Sequence, residues 1–147
     1  MFGSIVVGTD GSDTAKEAVR QSVELAKSVG AELLLVSAYQ PMSRVSANRE
    51  ATQAPEDVQW MVSARDDVAT LLSDAARTAE EAGVAVQTFQ RQGDPADAIL
   101  DVAEERDADL IVVGNKGMTG AKRFLLGSVP NRVSHHAPCS VLIIRTT

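Results

Sequence analysis

The stretch DLIVVGNKGMTGAKRFLLGSVPNRV, residues 109–133, decides the reading of this chain. An apolar run ends at Gly114, Gly117 follows, and nine residues further on comes Gly127-Ser128. A β-run that feeds a glycine-marked connection and then a helix starting at Ser128, with Pro130 in its first turn, is a β–α unit. The glycines fall where a backbone must turn or come very close to another group. A helix N-terminus presents unpaired N–H groups and a partial positive charge, so the spacing predicts a phosphate cradle. The connection from Gly114 to Ser128 is long for an α/β unit, and such connections are usually functional or disordered.

Outward from this unit, strand-like and helical runs alternate, which predicts a parallel sheet covered by helices. The apolar run at 4–9 ends in Gly8-Thr9-Asp10, after which Ser12 or Asp13 is placed to cap a helix. Ala15, Ala18, Val19, Ser22, Ala26 and Val29 share one face of that helix, and Gly30 stops it. Residues 33–39 form a nearly continuous apolar strand. Residues 40–55, polar and bounded by Pro41 and Pro55, are expected to be a mobile loop. A long helix over 56–82 ends at Gly83, and a strand over 84–90 follows. Asp94 and Pro95 then start a helix that runs to about Glu105. Strands at 110–114 and 140–144 flank a helix over 128–136. The whole is expected to be one domain, residues 1–147, with five parallel strands and four helices in a doubly wound, Rossmann-like α/β sheet. Ligands of such sheets sit beyond the carboxyl ends of the strands, where the strand order reverses, and Asp10 and Gly114 both lie at such ends.

Composition narrows the function. Hydrophobic residues are 44% of the 147 and aromatic ones 3%, so Val, Leu, Ile and Ala must build the core. The formal charge of −6 argues against nucleic-acid binding and against a membrane-surface role. Cys139 is the single cysteine, which excludes an intrachain disulfide and a cysteine-based metal site; before a β-run it reads as a small buried residue. The opening MFGSIVVGTD has no basic region, and its apolar run is too short for a signal or membrane segment, so a cytoplasmic location is expected.

Three segments together carry a resemblance: Gly8-Thr9-Asp10-Gly11-Ser12, the Gly114-x2-Gly117-x9-Gly127-Ser128 signature, and the closing APCSVLIIR at 137–145. On these the chain resembles the universal stress protein family in its small nucleotide-binding form, with the adenine nucleotide alpha hydrolase-like variant of the fold. One departure is Ser140, where many relatives have proline. The resemblance implies an adenine nucleotide ligand, ATP or cyclic AMP, with Mg2+ accompanying ATP. It implies that Asp10 contacts ribose hydroxyls or a nucleotide-bound divalent ion, and that the backbone of Val36, or of Ala38 two residues on, reads the adenine edge. Gly114, Gly117, Gly127 and Ser128 would hold ribose and phosphates, with Thr9 and Val129 as neighbours. It also implies a homodimer through the last strand, at Val141, Leu142, Ile143 and Ile144, an apolar edge that should not stay open to water.

A plainer role stands beside each residue. Glycines also end strands, and Asp10 could simply cap the following helix. Lys116, Lys122 and Arg123 lie in the connection and would assist an anion, although exposed charges are more often solvated surface. His135 and His136, late in the last helix, suit its dipole and read as structural, while Trp60, Met61 and Tyr39 read as packing or loop residues. The chain has no Walker sequence, no Ser-Gly-Gly-x-Asp-Ser loop and no HIGH-type motif, and nothing nominates a general base. Regulatory binding is therefore the leading expectation. A slow metal-dependent ATPase or phosphotransferase is one alternative; a dimeric interaction protein steadied by nucleotide is the other.

Overall fold

Ile5, Val6 and Val7 are all fully buried, because the strand that carries them is covered on both faces. In the computed structural model, which describes residues 2–39, 54–115 and 126–146 (side chains of 54–66 excepted), Ile5 and Val7 point into one core and Val6 into another. The strands are β1 (Ser4–Gly8), β2 (Glu32–Tyr39), β3 (Val86–Gln92), β4 (Leu110–Gly114) and β5 (Ser140–Ile144). The helices are α1 (Asp13–Val29), α2 (Ala54–Glu81), α3 (Pro95–Glu105) and α4 (Ser128–His136). All strands are parallel, in the order β3-β2-β1-β4-β5. Ile5, Leu33, Leu35 and Val112 meet Val19 and Val23 of α1 and Val68 and Leu72 of α2. Val6, Leu34, Val36 and Ile111 meet Ile99 and Val102 of α3 and Val129 and Val133 of α4. Period-2 alternation thus feeds two cores from each central strand, which is why the strands read as unbroken apolar runs.

The order reverses between β1 and β4, and this seam is the shortest pairing in the sheet. Only Ile5, Val6 and Val7 pair across it, with Leu110, Ile111 and Val112. β1 pairs with β2 from Ser4 to Gly8, and β4 with β5 from Leu110 to Gly114. Beyond Val7 and Val112 the two central strands part, and a crevice opens at their carboxyl ends.

The structure departs from the sequence reading at several points. β3 begins at Val86 and not at 84, because Val84 belongs to the end of α2: its N–H donates to the Ala79 carbonyl at 2.9 Å, that of Gly83 to Glu80 at 3.0 Å, and Gly83 has φ 81°. In this Schellman closure Val84 is the buried apolar residue that seals the helix end. Helix α2 begins at Ala54, with Pro55 inside its first turn, where a missing N–H costs nothing; the rest of the expected 40–55 loop lies outside the described residues. Val29, expected on the buried face of α1, is 44% exposed in the last turn, and Val23 takes up the stripe. Ser12, not Asp13, caps α1, its hydroxyl accepting from Ala15 N–H at 3.3 Å. Among the described residues no helix is long and apolar enough to cross a membrane.

Candidate functional site

The crevice at the seam is walled by the end of β1, the first turns of α1 and α4, the end of β4 and the residues after β5. Gly8, Thr14, Gly114, Val129, Pro130 and Thr146 are among its lining. Two segments more than a hundred residues apart in sequence therefore meet there, as the strand order requires.

On the β1 side the chain leaves the sheet in stages. Thr9 N–H donates to the Val36 carbonyl at 2.9 Å, prolonging the ladder one residue past β1, and the Thr9 side chain is buried with its hydroxyl accepting from Gly11 N–H at 3.2 Å. Asp10 Oδ1 accepts from Ser12 N–H at 2.9 Å, an Asx turn. The capping oxygen of α1 belongs to Ser12, so one carboxylate oxygen of Asp10 shapes the turn and the other has no partner among the described residues. Gly11 takes φ 79°, a conformation that favours glycine.

The two candidate adenine readers sit differently. Val36 pairs with Gly8, the last residue of β1, is 1% exposed, and has its carbonyl engaged by Thr9. Ala38 lies two residues further on, past the end of β1, half-buried against the core on the α3 and α4 side. Ala38 has no β1 partner in the ladder, which ends at Gly8 and Val36, and pairs with Arg91 of β3 on its other side.

On the β4 side the phosphate expectation takes a definite form. Gly127 is the N-cap of α4, in extended conformation and with no side-chain hydrogen bond to the helix end. The first turn carries no acidic residue, and its Pro130 has no N–H to satisfy. Helices α1 and α3 differ: Ser12 and Asp94 cap them, and Asp13 and Asp97 supply negative charge in their first turns. Among the described residues the N–H groups of Ser128 and Val129 have no side-chain cap, at the crevice where Gly114 ends β4. Arg132, one turn further, is engaged by Asp94 at 3.0 Å and Asp97 at 2.8 Å, which braces α4 against α3. His135 and His136 are exposed in the last turn.

Gly114 has an ordinary φ, and a Cβ built on it would stand 3.4 Å from Thr146 Cγ2, a normal contact. Neither backbone nor packing therefore demands glycine there. Gly117, Lys116, Lys122 and Arg123 lie outside the described residues. Sequence reasoning missed Asn115 and Thr146. Asn115 donates its N–H to Ile144 and accepts at its carbonyl from Gly127, each at 2.9 Å; its Oδ1 accepts from Thr146 N–H at 2.9 Å and Thr146 Oγ1 at 3.0 Å. A polar residue directly after the β4 glycine was the available signal for Asn115; Thr146 had none.

For a metal, the donor set is thin: among the described residues no three His, Cys, Asp or Glu side chains gather. Asp10 offers one uncommitted oxygen, so a divalent ion would need most of its ligands from nucleotide phosphates.

Comparison with known proteins agrees with the fold. A model of the universal stress protein family matches residues 1–145. The universal stress protein Rv1636 of Mycobacterium tuberculosis is 37% identical over 147 residues, covering 99% of this chain and 98% of its own. A solved universal stress protein in complex with cAMP superposes with TM-score 0.73 at 33% identity, over 99% of this chain and 98% of that one. The Archaeoglobus fulgidus universal stress protein in complex with dAMP gives 0.64 at 26% identity, over 98% of each chain.

Proposed function

The chain belongs to the universal stress protein family, and from that premise and the crevice at the seam we propose that it is a regulatory binder of adenine nucleotides, ATP or cyclic AMP, and not a catalyst. One observation carries the reading: the uncapped N-terminus of α4, free of acidic residues, stands beside Gly114 at the point where the strand order reverses. Binding of cAMP and dAMP by two similar proteins supports the same ligand class. In this reading the N–H groups of Ser128 and Val129, with the Ser128 hydroxyl, take the phosphate nearest the ribose. Gly114 and Gly117 let the sugar approach the backbone, and the open oxygen of Asp10 accepts from a ribose hydroxyl. The backbone of Ala38 reads the adenine edge, with Thr9 and Val36 fixing the strand ends behind it. Lys116, Lys122 and Arg123 serve any further phosphates, and Mg2+ enters only with ATP. The chain acts in the cytoplasm as a homodimer paired along β5.

Calorimetric titration of ligand-stripped protein with cAMP, AMP, ATP and ATP with magnesium tests this. Saturable binding of at least one adenine nucleotide is expected, with no steady release of phosphate from ATP. Silence with all four would sink the assignment of the site.

A further inference from the structure

We propose that the Asn115 side chain latches Thr146 into the crevice, making the segment after β5 a wall of the nucleotide site and Asn115 its positioning residue. The inference rests on the nucleotide-binding reading. Four hydrogen bonds of one residue converge: Asn115 ties the end of β4 to Ile144, takes the N–H of the α4 cap residue Gly127, and accepts twice from Thr146 through Oδ1. Thr146 N–H can only donate, so the amide orientation is fixed with its oxygen toward Thr146. The two main-chain bonds would survive substitution of Asn115 by any residue but proline; among the described residues the side chain serves Thr146 alone. Thr146 in turn is half-buried, lines the crevice with Gly8, Gly114 and Val129, and holds its methyl over Gly114. Residues beyond a strand end fray unless tied down. Without the latch the crevice loses the wall that faces the end of β4, and the ligand loses both contact and preorganisation there.

Affinity for cAMP in wild type, Asn115→Ala, Thr146→Ala, the double variant and Thr146→Ser tests the latch, together with amide exchange at Thr146. Each alanine variant should lower affinity about tenfold, and the double variant no further than the worse single one, because the pair acts as a unit. Thr146→Ser keeps the hydroxyl and should bind within about threefold of wild type. The Thr146 amide should exchange slowly in ligand-free wild type and rapidly in Asn115→Ala. Equal exchange in the two, additive losses, or unchanged affinity in both single variants would overturn the latch. A wild type that binds no nucleotide would instead sink the reading of the site, with the exchange result still deciding the latch.

Discussion

The N–H of Gly127 donates to the carbonyl of Asn115 across 2.9 Å, closing the connection between β4 and α4 at its base. The end of the strand and the cap of the helix are therefore held together at their base, and the N–H groups of Ser128 and Val129 keep their place relative to Gly114.

Gly114→Ala should separate folding from binding. The added methyl meets Thr146 Cγ2 at 3.4 Å with an unstrained backbone, so stability should change by no more than a surface substitution changes it, about 0.5 kcal/mol or less. Nucleotide affinity should fall about tenfold, or 1.4 kcal/mol, because the methyl fills space where ligand and backbone meet. Titration with cAMP beside a thermal melt checks both, and undiminished affinity would count against the site.

Ser128→Asp should move stability and binding in opposite directions. A carboxylate in the uncapped first turn of α4 complements the helix dipole and should stabilise the protein by about 0.3–1 kcal/mol. The same charge occupies the anion position and should abolish measurable nucleotide binding. Denaturant melts and calorimetry on one sample suffice, and a variant that still binds would place the phosphate elsewhere.

Asp10→Asn keeps an acceptor for the Ser12 N–H, and with it the turn, while removing the charge. If the open oxygen serves ribose, affinity for ATP should drop by a similar factor, about three- to tenfold, with and without magnesium. A loss confined to the magnesium titration would assign the carboxylate to the ion.

Leu142 and Ile143 are each 40% exposed on β5, an edge strand whose outer hydrogen-bonding groups meet no other strand of this sheet. Leu142→Lys with Ile143→Lys should convert a dimer into a folded monomer, since edge lysines oppose strand pairing. Sedimentation at micromolar concentration reads the outcome. A wild type that sediments as a monomer would remove the edge interface.

Burial raises the Cys139 thiol pKa above its ordinary value, and the Asp109 carboxylate raises it further. At neutral pH the thiol should react with a disulfide reagent several-fold more slowly than free cysteine, since the thiolate is the nucleophile. The folded state holds this proton more tightly than the unfolded chain does. Its contribution to stability is thus present below the ordinary thiol value and is lost as pH rises through the higher folded value. A fast reaction at neutral pH would contradict the burial.

The central strands were legible because two-sided burial leaves an unbroken apolar run, as in Leu33 to Val36, and β4 falls on the residues expected; β5 does too, on its apolar composition although much of it is exposed. Helix ends were legible where a polar side chain or a glycine does the capping, as at Ser12, Gly30 and Asp94. Val84 misled because an apolar residue that seals a helix looks, in sequence, like the first residue of a strand. The choice between Val36 and Ala38 could not be read either. Positions two apart share a face, so the pattern is blind to a slip of two; in the structure they differ in that Val36 pairs with Gly8 and Ala38 lies beyond the end of β1. Asn115 and Thr146 meet across 31 positions through a side-chain bond that no periodicity announces.

The seam between β1 and β4, closed by only Ile5, Val6 and Val7, divides the sheet into a three-stranded and a two-stranded half. A ligand that touches Asp10 on one bank and α4 on the other would span that division as a crossbar. Its occupancy would then lend cohesion to the sheet's narrowest join, and not only to the loops around it. By mass action any such ligand raises the melting temperature of the whole molecule. A thermal-shift screen would therefore register any nucleotide in its panel that bridges the two banks, without prior choice among them.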